Sequence, residues 1–495
     1  MFKVACFREL KLYSFHDITS IFSIDSSSAE EIILHLRNKN ILKCKKDSEK
    51  TDQDTLESSE LAMGDLTIAD SERRYLFDYV GLIEFTINKK NFILCCFPKY
   101  IKRKENELSL SDLRPFLHAI EKYNKSQPST ILISTESDDR IQFNPLAIVI
   151  FLLRDYWEHG IYTNSKDDLE KNGMGEIEWE STINQNIPFL KDGRPYYIDY
   201  YTSLTTVDDS SFITDLHKYL LTKYSRHLKE TKLDELFEIE TVELYDGEQN
   251  DFGDQEYIEQ RLLNEINVQF VTHKQIILRA MYALIRKTST ANESSSISLF
   301  GTNSFHQVWE AAIVDVFESQ RKIPVCNLPI ELNAKYKNET QSLLDLIPRP
   351  KWKHFDPQVT NEADRTLIPD YLSICNIDDK RLFVIMDAKY YDISLYPKLS
   401  GQPGVGDINK QYLYQLAYQD FIDSHKLIPV NIFLCPSDNN NSKIIGEVEM
   451  PIFTALKLEN IKVVLLSAKN ILDTYNSCSK LTLEKELKAW GYSSK

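Results

Sequence analysis

The sequence has no CxxC pair, no HxH or HxxxH pair and no apolar run long enough to span a bilayer. Its eight cysteines are scattered, with Cys95 and Cys96 vicinal inside the strand-like NFILCCF. That spacing excludes a zinc ribbon and a disulfide frame, and it suits the reduced thiols of an intracellular protein. Ten unpaired histidines argue against a zinc hydrolase. No G-x-S-x-G nucleophile setting occurs either. The longest apolar run, LAIVIFLL at 146–153, falls far short of the roughly 20 residues a membrane helix needs. It reads as a buried helix, and no membrane partner is expected. The first residues, MFKVACFRELKLYSF, lack the apolar core and cleavage site of a signal peptide, so the expected location is the cytoplasm.

Positive charge is also in deficit. The net charge of −16 opposes general affinity for nucleic acid. From Gly301 onward, however, 24 acidic residues face 22 basic ones, so nearly all the excess lies in the first 300 residues. The C-terminal part carries basic clusters at AKYK (334–337) and RPKWKHF (349–355). In the second, Lys351, Trp352 and Lys353 interleave basic and aromatic groups. This suits a DNA-contacting loop, with a solvated loop around one packed tryptophan as the alternative.

At 495 residues the chain can hold two to four domains. Residues 1–105 read as an α+β region, winged-helix-like plus a β-hairpin, with a plain helical hairpin as the alternative for its first 43 residues. Short helices are expected there, HDITSIF and SSAEEIILHLRNKNILKC, the second capped by Ser27 or Ser28. A polar segment over 44–72 reads as a disordered loop, and 75–101 reads as a hairpin turning at NKKN. Residues 106–298 read as mainly helical, with helices at 110–126, 143–158, 211–240 and 257–287. Loop and strand are expected over 172–202, and a serine-rich break at 288–298.

Residues 299–495 change pattern. Phe305, Val308, Trp309, Ala312, Ile313, Val316 and Phe317 recur at spacings of three and four, which predicts a helix with a Ser304–Gln307 capping box. A strand at IPVCNLPIEL, the strands TLIPDYLSIC and RLFVIMDAKYY joined by NIDDK, a helix N-capped by Asp407, and the strands PVNIFLC and IKVVLLSA complete a small mixed sheet flanked by helices.

The segment VIMDAKYYD (384–392) ends an apolar strand in a charged pair. Asp387 and Lys389, two apart, point to one face of a strand, which is costly unless the charges are matched. With the hairpin turning at 376–380, Asp370 falls opposite Asp387. Two converging carboxylates can hold Mg²⁺, and a lysine beside them can orient or deprotonate water and offset developing phosphorane charge. A [DE]-x-K triplet is expected about five times by chance in so charged a chain. It recurs elsewhere, as at Glu230–Lys232, Asp378–Lys380 and Glu486–Lys488, but only Asp387-Ala-Lys389 ends an apolar strand with a Pro-Asp on its neighbour. A structural ion pair is the other reading.

Pro369-Asp370 followed by Asp387-Ala-Lys389 resembles the PD-(D/E)xK nuclease superfamily. The resemblance implies an α/β fold class, a C-terminal nuclease core behind a mixed α+β N-terminal region. It makes Asp370, Asp387 and Lys389 catalytic and adds Glu310, on the preceding helix, as a third metal contact. A solvated glutamate is the alternative for Glu310. The helix after the motif, with Lys410, Gln411, Tyr414, Gln415 and Tyr418, is similar to the Gln/Tyr-rich helix of RecB-like and McrC-like nucleases that lies over the DNA backbone. Lys410, Gln411 and Gln415 are therefore expected to contact DNA. QLAY is one residue shorter than that family's spacing, and core packing is the other reading for both tyrosines.

YVGLIEF and ILCCFPKYI (79–101), GEIEWESTI (175–183) and FHQVWEAAIVDVF (305–317) look like the LlaJI-type restriction endonucleases, which are McrC-like. The likeness runs from about residue 75 to 470. It implies Mg²⁺-dependent cleavage of foreign double-stranded DNA, with Mn²⁺ as a substitute, in an oligomeric assembly. The resemblance also implies cooperation with a separate McrB-like GTPase subunit; this chain itself has no GxxxxGK[ST]. The rival readings are a catalytically silent DNA-binding scaffold subunit and a repair or recombination nuclease.

Overall fold

The computed structural model describes residues 3–46, 73–87, 90–104, 107–125, 145–208, 211–290, 297–356 and 358–492. The chain forms a mixed α/β structure of two compact units, Met1–Gln127 with Leu299–Lys495, and Pro128–Ser298. Most of the polar loop read over 44–72 lies outside the described residues, as do residues 88 and 89 of the NKKN turn and 291–296 of the serine-rich break.

The first unit is built around a five-stranded sheet. Its spatial order is Tyr371–Ile377, Lys380–Ala388, Ile428–Ser437, Ile461–Ser467 and Lys443–Val448. The first two strands are antiparallel, joined by a two-residue turn in which Asp378 and Asp379 both take positive φ, 48° and 63°. Aspartate tolerates that conformation because its short carboxylate can bond its own backbone. The central strands pair in parallel, Lys380–Ala388 with Ile428–Ser437 and the latter with Ile461–Ser467. They read as near-continuous buried runs, as strands covered on both faces must.

Helix Phe305–Val316 packs on this sheet, with Trp309 fully buried and its indole N–H donating to the Leu434 carbonyl. All seven apolar positions predicted for it are buried. Its predicted capping box does not form. Ser304 makes no side-chain cap, and its own N–H bonds to the Thr302 hydroxyl instead.

A second sheet orders Lys3–Arg8, Lys90–Phe97, Val80–Ile87 and Ile297–Thr302. The hairpin at 80–97 is as the alternation suggests. Strand Lys3–Arg8, absent from the sequence reading, runs parallel to Lys90–Phe97. Gly81, at φ +143°, lies so close to the 300–301 backbone that a Cβ would sit 2.1 Å from the Phe300 carbonyl oxygen. Only glycine fits. Strand Ile297–Thr302 joins this sheet, and the residues up to Gln127 and from Leu299 onward form one unit.

Other local expectations change. Helix Ser26–Asn38 is capped by Asp25, not Ser27 or Ser28. IPVCNLPIEL holds a 3-10 turn, Val325–Asn327, and no strand. RPKWKHF is not a loop but one arm of an exposed two-stranded ribbon, Lys351–Phe355 with Gln358–Glu362.

In the second unit, helix Pro145–His159 buries most of LAIVIFLL, and no helix among the described residues is long and apolar enough to cross a membrane. The helix read over 257–287 is two, Gln255–Val268 and Thr272–Thr290. The segment read as loop and strand over 172–202 includes helix Trp179–Gln185, capped by the Glu178 carboxylate. On helix Phe212–Thr231, His217 is fully buried, and its Nδ1 accepts the Tyr162 N–H. Burial lowers its imidazole from 6.5 to about 4. A depressed histidine favours the neutral form in the folded state. Its contribution is therefore complete above pH 6.5 and is lost as pH falls toward 4, up to about 3 kcal/mol. The unfolding midpoint of wild type should drop across that window, and His217→Gln should flatten the drop.

Candidate active site

The register of the motif hairpin, with Tyr371 opposite Met386, carries Asp370 to a place across from Asp387. Both end the apolar strands at the same edge of the sheet. Asp370 Oδ2 accepts the Ala388 N–H at 2.9 Å, and the Arg321 guanidinium donates to the Asp370 carbonyl at 2.9 Å. Asp387 is 4 % exposed. Burial, then hydrogen bonding to Asp387 and the charge of Asp387, and lastly the charge of Glu310, push the Asp370 carboxyl up to about 9. Burial and the neighbouring carboxylate thus both disfavour the charged form of Asp370.

Lys389 leaves the end of the strand with its N–H on the Leu434 carbonyl. Its Nζ lies 2.7 Å from Asp387 Oδ2 and 2.9 Å from Asp407 Oδ1. Oδ2 of Asp387 nevertheless has no well-aligned hydrogen bond, so that contact is chiefly electrostatic. Burial by itself would lower the Lys389 ammonium. Asp387 by charge and contact, then Asp407, outweigh burial and hold it well above the ordinary lysine value. This favours the orienting and charge-offsetting roles over proton abstraction, since a lysine base must first be neutral.

Asp407 is the residue the sequence reading assigned differently. It does not cap its helix, Val405–Ala417; Gly404 does, and Asp407 sits in the first turn. Its second oxygen accepts from the Tyr391 hydroxyl at 3.2 Å. The chain between motif and helix folds back through a Ser394–Ser400 bridge. Gly401 there, at φ +61°, would place a Cβ 2.2 Å from the Asp392 carbonyl oxygen. No short-range pattern signals this return. The only local sign is an acidic residue just inside a glycine-rich helix start.

Glu310 is half-buried, and its charge reaches Asp370. It does not close a three-carboxylate cluster with Asp370 and Asp387 within 4.8 Å. Gln411 and Gln415, expected against DNA, are buried instead. Gln411 donates to the Ile385 carbonyl at 2.9 Å, and the Gln415 side-chain oxygen accepts from Asn431 and from the Glu459 N–H. They tie the helix to the sheet. Tyr414 and Tyr418 pack with Phe383 and Ile385, their hydroxyls on the Ile368 and Leu343 carbonyls. Lys410 faces solvent on the same helix. Lys351, Trp352 and Lys353 are exposed on the ribbon, Trp352 by 72 %.

The pair Asp370–Asp387 offers only oxygen donors and is flanked by the Lys389 ammonium. Such a donor set fits a hard divalent cation.

Residues 79–469 match the model of the LlaJI restriction endonuclease family. A Bacillus subtilis (strain 168) protein, the type II restriction enzyme BsuMI component YdjA, is 30% identical over 418 residues, 82% of each chain. A chain from the half-complex of Thermococcus gammatolerans McrB AAA+ hexamers with bound McrC is 13% identical. It overlaps 96% of this chain and 99% of its own length at a TM-score of 0.39. A chain of the T. gammatolerans McrBC complex overlaps 62% and 84% at 0.28. Overlaps at these scores do not establish a shared fold.

Proposed function

The chain belongs to the LlaJI restriction endonuclease family, and from that premise we propose that it is the nuclease subunit of a restriction system, hydrolysing phosphodiester bonds of double-stranded DNA at Asp370, Asp387 and Lys389 on a PD-(D/E)xK-type core. The observation that carries this reading is the Asp370–Asp387 carboxylate pair at one end of the sheet with the Lys389 ammonium 2.7 Å from Asp387. Asp370 and Asp387 would hold Mg²⁺, with Mn²⁺ as a substitute, and Glu310 acts on Asp370 by charge. When bound, the cation supplies a Lewis acid for the phosphate and lowers the pKa of water.

The residues themselves do the rest. Asp387 and Asp407 fix the position of Lys389, so its charge stands ready for negative charge developing on the phosphorus oxygens. Gln411 and Gln415 hold the helix that carries Asp407 against the sheet. Lys351, Trp352 and Lys353 on the ribbon, with Lys410, contact the duplex. Each lysine against a phosphate releases counterions. Lys351→Ala with Lys353→Ala should therefore lower the slope of log affinity against log salt by about 2, measured by fluorescence anisotropy on one duplex.

A nucleotide-driven McrB-like partner fits the family resemblance, and the B. subtilis relative is itself named as a component of its enzyme. The direct test is plasmid cleavage by the purified chain with its neighbouring-gene subunits, with Mg²⁺ or with a chelator. Cleavage that needs the ion and is lost in Asp387→Asn supports the proposal. Equal cleavage in chelator, or by Asp387→Asn, would overturn it.

A further inference from the structure

Among the described residues, one group of three side chains brings metal-ligand atoms within 4.8 Å of one another, and it lies outside the carboxylate site, in the second unit. We propose that Asp155, His159 and His273 form a second metal site, for one first-row transition ion of the Zn²⁺ class. Asp155 and His159 are four apart on helix Pro145–His159 and so share a face. His273 is the second residue of helix Thr272–Thr290, which packs on the first. His273 Nε2 is 2.6 Å from Asp155 Oδ1, and His159 Nδ1 is 3.2 Å from the same oxygen. The two imidazoles stand 4.3 Å apart, at 47°.

The burial pattern points to a ligand. Asp155 is 5 % exposed, yet both rings address one of its oxygens while Oδ2 is buried with no hydrogen-bond partner. A buried carboxylate oxygen left this way is costly, and it calls for a cation. The histidines are 52 % and 40 % exposed by side chain, which leaves an entry path and an open position for water. Bonds of about 2.0–2.1 Å in tetrahedral geometry space ligand atoms roughly 3.4 Å apart. The 2.6 Å contact must therefore open by under about 1 Å, which a half-exposed imidazole can do by rotating. Two imidazoles and a carboxylate favour Zn²⁺, Co²⁺ or Ni²⁺ over Mg²⁺. The site thus differs in chemistry from Asp370–Asp387, which offers oxygen alone. A bound ion would clamp the end of one helix to the start of the other. The sequence carries the site as Asp-x-x-x-His plus one histidine 114 residues on, so a search for paired histidines misses it.

The test uses full-length chain stripped with a chelator, as wild type and as Asp387→Asn, with Co²⁺ and Zn²⁺ as probes. Both forms should bind one Co²⁺ with the intense visible bands of a tetrahedral site, bleached by equimolar Zn²⁺, and Zn²⁺ should raise the unfolding midpoint of both. His273→Ala and His159→Ala, made separately in the Asp387→Asn chain, should lose the bands and the shift with far-ultraviolet dichroism unchanged. Absence of tetrahedral bands in Asp387→Asn, or bands that survive both histidine substitutions, would overturn the proposal. If an alanine variant fails to fold, His273→Gln and His159→Gln in the same chain carry the test, and bands that survive them overturn the proposal.

Discussion

Lys389→Met is expected to slow single-turnover DNA cleavage by a factor of about 100 to 1000 in a chain that still folds and binds DNA. The lysine is a fixed positive charge between Asp387 and Asp407, and both keep it protonated at neutral pH. A group so held acts by its charge on the transition state, which is the largest effect one side chain of this kind exerts, about 2.7–4 kcal/mol. Lys389→Arg distinguishes charge from proton transfer. Arginine keeps the charge but cannot serve as a base, so it should retain part of the activity, within about tenfold of wild type if its wider fork displaces the reacting groups only slightly. Asp407→Asn, which frees one side of the ammonium, should fall between the two. Rapid-quench cleavage of a plasmid with each variant, at saturating DNA and partner, measures all three. Near-normal rates in Lys389→Met would reduce Lys389 to an ion-pair partner of Asp387.

Where the chain's chemistry was legible, it was legible because it is local. The apolar strand ending at Asp387 and Lys389, the Pro-Asp on its neighbour, and the three-and-four spacing around Trp309 all lie within a few turns or one hairpin. A strand's two-residue period also settles which side chains share a face. Contacts that close over long stretches of chain were not legible. Strand Lys3–Arg8 is six residues long, and its partner begins at Lys90, so its pairing has no local sign. Asp407 reaches Lys389 only because the intervening loop folds back on itself. Gln411 and Gln415 are polar residues on an amphipathic helix, and pattern alone assigns such residues outward. Here their amides bond the Ile385 carbonyl and the Glu459 N–H, partners visible only once the helix lies on the sheet. The tyrosines beside them follow the core reading for the same reason.

Asp387→Asn should abolish cleavage and weaken divalent-ion binding by two orders of magnitude or about that, and it should change how stability depends on pH. Asp370 is raised from 3.8 to about 9, mainly by burial and by Asp387, so folding takes up a proton between those values. With the folded pKa above the unfolded one, the contribution is full below pH 3.8 and is lost as pH rises toward 9. The ion-free chain should therefore lose thermal stability steadily as pH rises through neutrality, as two carboxylate charges are forced together. Mg²⁺ binds the ionised pair, so its stabilising effect should grow as pH rises, and near pH 7 each ion bound should release close to one proton. Asn at 387 removes one of the two charges and with it the repulsion. The pH slope in chelator should flatten in part, because burial still raises Asp370, and the Mg²⁺-dependent rise in midpoint should vanish. Unfolding midpoints across pH 5 to 9 in chelator and in Mg²⁺, with calorimetric titrations in buffers of different ionisation enthalpy, read both effects. A slope and a proton release that are the same in wild type and Asp387→Asn would show that the carboxylate pair is neither where the proton resides nor where the ion binds.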